Sequence, residues 1–304
     1  MATKNNDLPV RIYSKQFLQL LSTVYQSQSV FMPTFGALQA LDGIQNNAVA
    51  FSVKTNDMAV VVGEYSTDPT VAFGTGTSNS SRFGEMKEVI YSDTDVSYTA
   101  GWSIHEGLDQ MTVNNKLDAA VADRLNLQAQ AKTRLFNVAM GKALAAAGTD
   151  LGDVADLNSL FESVVEKYTD LEVIAPVRAY VTAAVYNAII DLANVTTAKN
   201  SAVNIDTNGM LSFRGIAITK VPTQYMGGKA VIFAPDNIAR LFTGINIVRT
   251  IQAINFAGVE LQGAGKYGTF ILDDNKKAIF TAGTSATTTT STVKPTTTTT
   301  TSQA

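Results

Sequence analysis

Residues 59–92 form a glycine- and serine-tipped extension that leads, through a further strand pattern, into a long helical run over residues 115–147 ending at Gly148. At 1.5 Å per residue, about 33 residues reach roughly 50 Å, far beyond the usual three turns. Neither part can bury its apolar side chains within one compact subunit, so part of the burial is expected from neighbouring copies. The helix is not a coiled-coil strand. Leu117, Val121, Leu125, Leu135, Val138 and Leu144 keep no heptad, and Gln128, Gln130 and Asn137 interrupt any seam. Asn114 or Asn115 is its expected N-cap. Asp118 and Asp123 come early, and Lys132, Arg134 and Lys142 late, an order that complements the helix dipole.

The extension reads as a hairpin. Val60, Val61 and Val62 are a β-branched run, and strand pattern resumes at Val89, Ile90 and Tyr91. Between them Gly74, Gly76, Ser78, Asn79, Ser80 and Ser81 make a tip with little apolar content. A long two-stranded hairpin is marginal in water and needs a surface to lie on. Ahead of it, Val49, Phe51 and Val53 alternate with Ser52 and Lys54 as a half-buried strand does. Upstream again, Ile12, Phe17, Leu20, Leu21 and Val24 give an amphipathic arm that Pro33 is expected to close.

Beyond Gly148 short elements alternate. Leu157, Leu160, Phe161, Val164 and Val165 predict a helix, Val177 to Thr182 a strand, and Ala183 to Ala193 a second helix with Val185, Ile189 and Ile190 inward. After a turn at Asn208-Gly209, Leu211, Phe213, Ile216 and Ile218 read as one strand, and Ala230 to Ala234 as a buried one. Asp236 is expected to cap a short helix holding Ile238 and Leu241. A last hairpin pairs Gly268–Leu272 with Ala278–Phe280 around Asp273, Asp274 and Asn275. The threonine-rich stretch 284–304 lacks the apolar side chains to offset its ordering entropy and is expected to be disordered.

Composition narrows the function. A net charge of −3 argues against broad sequence-independent nucleic-acid binding, which needs clustered Lys and Arg. With no cysteine there is neither a disulfide framework nor a thiolate metal site. The polar N-terminus, Met1 to Asp7, is not expected to act as a signal peptide, and no segment has the roughly 18 apolar residues of a membrane helix. Without a secretory signal, the sequons at Asn79-Ser80-Ser81 and Asn194-Val195-Thr196 read as chance matches, which weakens a surface or adhesive protein.

Catalytic patterns fail in context. His105 is the single histidine and reads as a packing or hydrogen-bonding residue beside Trp102 and Ile104. Gly74-Thr75-Gly76 starts a dinucleotide-like pattern that breaks at Asn79, and Gly227-Gly228-Lys229 starts a phosphate loop that breaks at Ala230. Glu85 with Glu88, and Asp273 with Asp274, read as solvated acid pairs. No enzyme activity, cofactor or metal is expected.

The order of polar arm, strand, hairpin from Glu64-Tyr65 to Tyr91, long helix ending at Gly148 and α+β unit resembles the major capsid protein of tailed bacteriophages, the Hong Kong 97-type fold. So does the closing segment, with Phe213-Arg214-Gly215, the Val221-Pro222 break and Val231-Ile232-Phe233-Ala234. The resemblance runs to Gly283 and implies an α+β fold. Its parts would be an N-terminal arm (1–47), an extended β-hairpin loop with flanking strands (48–111), the spine helix of a peripheral domain (112–149), and an axial α+β domain with return strands (150–283). It also implies self-assembly into hexamers and pentamers around DNA, with portal and decoration proteins as candidate partners, and a location in the virion capsid after assembly in the host cytoplasm. An encapsulin-type nanocompartment shell shares the fold and is the alternative.

Two departures from that family follow. This chain reaches its first strand by Val49, so a scaffold would be a separate protein or already removed. Lys87 lies on the returning limb and the tip has no lysine, which speaks against autocatalytic cross-linking. Arg82 beside the tip is a candidate inter-subunit ion-pair partner, and Gly74 and Gly76 are the candidate hinge.

Overall fold

The computed structural model describes residues 28–41, 49–56, 58–68, 82–84, 86–113, 116–154, 156–195, 203–205 and 211–284. Helix α1 (Met32–Phe35) and strand β1 (Gln39–Leu41) open it, followed by β2 (Val49–Thr55), β3 (Ser92–Ser97) and β4 (Ala100–Asp109). Helix α2 (Leu117–Ala147) leads to β5 (Thr149–Asp150), α3 (Leu157–Asp170), β6 (Val177–Val181), α4 (Ala183–Val195), β7 (Val203–Ile205), β8 (Leu211–Phe213), β9 (Ile216–Lys220) and β10 (Lys229–Pro235). The chain closes with β11 (Ala239–Gln252), β12 (Gly258–Ile271), α5 (Asp273–Lys276) and β13 (Phe280–Thr284). Three sheets result: four strands in the order β1-β11-β12-β4, seven in the order β5-β13-β10-β6-β9-β8-β7, and the pair β2-β3.

The seven-stranded sheet is covered on both faces, and the two-residue period of its central strands feeds two separate cores. Ala179, Val181, Val231 and Phe233 point into one core with Phe161, Val164 and Tyr168 of α3 and Ile189 of α4. Tyr180, Ile232 and Ala234 point into the other, with Met140 and Leu144 of α2 and with Phe31 and Phe35 from the root of the arm. The C-terminal half of α2 therefore belongs to this sheet. Its earlier turns lie instead on the four-stranded sheet, where Arg124 and Gln128 bond Glu106 of β4, and mid-helix Lys132 Nζ sits 5.0 Å from the Trp102 ring centre and Phe136 packs against Tyr267. The helix joins two sheets that share no main-chain ladder among the described residues.

Several expected elements hold: β2, α2, α3, β6, α4 and β10 occupy the residues whose periodicity predicted them. Others are corrected. Pro33 closes no helix but sits in the first turn of α1, where its missing N–H costs nothing; residues 8–27 lie outside the described residues. In β2 a register shift between Val49 and Phe51 leaves Val49 exposed and buries Ala50 instead. Asn114 and Asn115 also lie outside the described residues; Lys116 holds the N-cap position of α2 without a side-chain cap bond.

The stretch 211–218 is two strands. Arg214 and Gly215 both take positive φ, 51° and 81°, which is the two-residue hairpin turn that matches strand twist. The turn expected at Asn208-Gly209 falls outside the described residues. Asp236 caps no helix. Its carboxylate accepts from Arg178 Nε at 2.9 Å, and Leu241 lies in β11. The hairpin expected around Asp273 is a crossing between sheets: β12 belongs to the four-stranded sheet and β13 to the seven-stranded one, with the single turn of α5 between them.

Candidate assembly surfaces

The ribbon β2-β3 is the root of the extension. Its strands pair in antiparallel register from Phe51↔Val96 to Thr55↔Ser92, with Ser52 Oγ donating to Asp95 at 2.6 Å and Lys54 paired to Asp93 at 3.0 Å. Beyond Thr55 and before Ser92 no ladder continues among the described residues. This corrects the expected strands at Val60–Val62 and Val89–Tyr91. The limbs meet again near the tip, where the Ser66 N–H donates to the Arg82 carbonyl at 2.9 Å and the Tyr65 and Phe83 rings stack edge-on at 5.1 Å.

Along the limbs and at the second fastening, apolar side chains face solvent. Val60 is 91% exposed, Val62 90%, Phe83 84% and Met86 92%, with Val61, Ile90 and Tyr91 at 60% or more. At roughly 25 cal/mol per Å² of apolar surface, covering such side chains stabilises any complex that does it. A contiguous apolar stretch of this kind marks an interaction surface. Of the candidate site residues, Arg82 is half-buried at the tip end of one limb and Lys87 is exposed on the returning limb. Gly74 and Gly76 lie outside the described residues.

The ribbon is fastened to the rest by side chains. Phe51 sits edge-on to Phe242 and Phe270, with ring centres at 5.1 and 5.7 Å, and Tyr98 packs on Phe242 at 5.6 Å. Ala50, Val96, Leu41 and Val53 complete this small core. Tyr98 lies over Gly244, where any Cβ would collide with its ring.

The root of the arm docks on α2. Asn137, fully buried, accepts from the Val30 N–H at 3.1 Å and donates through Nδ2 to the Gln28 carbonyl at 2.7 Å. Its amide thus reads the main chain of the arm root as a strand neighbour would. Further along α2, Gln128 donates to Glu106 Oε2 at 2.7 Å, and Arg124 grips the same carboxylate with Nε and Nη2 at 2.6 and 2.5 Å. Two of the three polar residues that seemed to break the helix seam, Gln128 and Asn137, are its buried contacts. Sequence reasoning missed them, because an amide signals burial only once its partner is known.

The Arg124 hydrogen bond holds the Glu106 carboxyl below its ordinary range, against a smaller opposing effect of burial, with Gln128 adding to the lowering. A depressed carboxylate contributes stability above its unfolded value and loses it as pH falls through the folded one. Glu106→Gln is therefore expected to cost about 1 kcal/mol at neutral pH, kept small by solvent around the guanidinium. The difference from wild type should stay constant from pH 8 to about 5 and close below about 4. Thermal melts of both proteins across that range check it.

His105 projects from β4 with 70% of its side chain exposed, Nε2 3.2 Å from Glu260 Oε2. It packs into no core, so only the hydrogen-bonding half of its expected role stands. Gly227 and Gly228 both take positive φ in a tight turn, and Lys229 after them pairs with Asp150 at 2.5 Å. Among the described residues no three His, Asp or Glu side chains group as a metal site, and no helix is long and apolar enough to cross a membrane.

No protein-family model and no curated protein matches the sequence. Solved structures do. The chain aligns with a Mycobacterium phage Che8 structure over 88% of its length and 95% of that chain, at TM-score 0.57 and 14% identity. The mature capsid of bacteriophage PhiM1 aligns over 86% and 89%, at TM-score 0.57 and 10% identity. The capsid of Cyanophage P-SCSP1u aligns over 89% and 93%, at TM-score 0.59 and 10% identity. Matches of this coverage at such low identity mark a shared architecture, and the chain has the Hong Kong 97-type fold of tailed-phage capsid proteins.

Proposed function

We propose that this chain is the major capsid protein of a tailed phage, a non-enzymatic structural protein that assembles into hexamers and pentamers of an icosahedral or prolate shell around double-stranded DNA. The observation that carries this reading is the apolar surface of the limbs, from Met58 to Val62 and from Met86 to Tyr91, left uncovered by the chain's own fold. A shell of copies supplies the missing cover by symmetry. In this reading residues 48–111 are the extended loop, 112–149 the spine helix of the peripheral domain, and 150–283 the axial domain with its return strands. Scaffolding, portal and decoration proteins are the implied partners. DNA is enclosed without sequence-specific contacts, and the shell forms in the host cytoplasm.

Expression of the chain alone and with candidate scaffolds, followed by electron microscopy and analytical ultracentrifugation, tests the proposal. Closed shells or capsomer-sized rings are the expected result, and DNA rather than protein cargo in particles from infected cells separates a virus from a nanocompartment. A species that is monomeric under every condition would overturn it. Two variants extend the test. Gly74→Pro or Gly76→Pro should impair assembly more than folding, seen as lost particles with an unchanged melting temperature. Deletion of residues 284–304 should leave particle yield unaltered.

A further inference from the structure

The four-stranded sheet ends in an edge that natural sheets seldom leave uncovered. Strand β4 runs for ten residues and, among the described residues, pairs only with β12. The Gln110 N–H donates to the directly opposite Ala257 carbonyl at 2.7 Å, which fixes the alternation along this antiparallel pair. Even-numbered residues of β4 bond to β12, so the N–H and C=O groups of Gly101, Ser103, His105 and Gly107 face away from it. Edge strands are normally blunted by proline, lysine, a bulge or a covering segment. Strand β4 holds no proline or lysine, and its ladder to β12 carries no register shift. Gly101, Ser103 and Gly107 are exposed and carry little or no side chain to obstruct an incoming backbone.

The extension carries a segment of the complementary kind. Residues 58–63 are Met-Ala-Val-Val-Val-Gly, uncharged, without proline, rich in β-branched residues and joined to no ladder. A run of this composition left exposed pairs readily with any free strand edge. Charge then sets the direction. Glu64 and Asp68 follow the run, while Lys266, paired opposite Gly101, stands at the first end of β4, and Asp109 ends the other. Only an antiparallel approach brings the acids to Lys266.

Resting on the capsid reading, we infer that residues 58–64 of one copy add to the open edge of β4 of a neighbouring copy as an antiparallel fifth strand. In the register set by the charges, Glu64 lies opposite Gly101, Val62 opposite Ser103 and Val60 opposite His105. Val61 then falls on the helix side of the sheet beside Ile104. Specificity comes from that apolar pair and from Lys266, and adhesion from main-chain hydrogen bonds, which is the strand-addition mode of recognition.

The absence of native cysteine makes the test clean. The double variant Val62→Cys with Ser103→Cys places two thiols on directly opposed residues, whose Cα separation of about 5.5 Å suits a disulfide. Assembled particles of this variant, oxidised and run on a non-reducing gel, should show covalent rings of linked chains that neither single variant gives. Ser103→Pro removes one outward N–H while leaving the β12 ladder intact, as edge strands tolerate. It should melt like wild type yet lose particle formation. Wild-type particles with no disulfide in the double variant overturn strand addition while the shell reading stands. A disulfide combined with normal assembly of Ser103→Pro overturns it as well, reducing the contact to side-chain proximity. A wild-type chain that forms no particle at all overturns both readings.

Discussion

Gly141→Ala is expected to destabilise the folded chain by 3 kcal/mol or more, a drop of about 5–10 °C in melting temperature for a chain of this size. In an ordinary helix interior the same change is favourable by roughly 1 kcal/mol, because alanine loses less backbone entropy than glycine. Here the sign reverses. A Cβ at Gly141 would overlap the carbonyl oxygen of Tyr225 and stand 3.2 Å from the Phe31 ring. The adjoining turn cannot yield either, since a Cβ at Gly227 would sit 2.7 Å from Ala145. To admit the methyl group, α2 must lift off that turn and carry Met140 and Leu144 out of the core beneath the seven-stranded sheet. Calorimetry of the two proteins decides the matter. A variant as stable as wild type would show that the helix does not approach the turn this closely.

Asn137→Asp should cost about 3 kcal/mol at neutral pH and recover part of it in acid. The substitution keeps shape and size, and one oxygen can still accept from the Val30 N–H. The other replaces an amide donor with a carboxylate oxygen facing the Gln28 carbonyl, at a site with no solvent. Burial and that carbonyl both favour the protonated acid, so its folded pKa lies above the ordinary value. Such a group binds more protons folded than unfolded, so stability relative to wild type rises as pH falls towards the carboxylate range. A protonated carboxyl can donate to Gln28 again. Melting temperatures at pH 7 and pH 5 check the sign, and hydrogen exchange at residues 28–31 should report a loosened arm root at neutral pH. A penalty independent of pH would mean that the amide merely fills space.

The elements legible in the sequence are those whose own side chains carry the period. β10 is apolar at every central position because both its faces are covered, and α3 spaces Phe161, Val164 and Tyr168 as one buried stripe. The β11-β12 hairpin, with fourteen residues in each strand, went unread except for the end of β12 from Gly268, for the opposite reason. Gly263 and Gly265 supply no apolar face of their own; the Trp102 ring from β4 lies across both, as Phe242 lies across Gly268. The burial signal sits on the partner strand, beyond the reach of a local pattern. Gly148 shows a subtler case. It does stop α2, but with φ −75° rather than in the left-handed region. Glycine is required there because a Cβ would meet Thr281 at 2.6 Å as β13 passes the helix end. The candidate assembly residues divide in the same way: exposed valines announce themselves in sequence, whereas the receiving edge of β4 exists only once the sheet is built.

The ribbon β2-β3 forms a sheet of its own, held at its root by the rings of Phe51, Tyr98, Phe242 and Phe270. Hydrogen-bonded strands resist relative rotation, because a few degrees misaligns every donor in the ladder. Aromatic faces in edge-on contact slide over a broad, shallow minimum. The ribbon can therefore change its pitch against the body without breaking any main-chain bond of its own. In the proposed shell, one sequence fits a ring of five and a ring of six in this way, with the difference in local curvature absorbed where the chain stores the least directional energy.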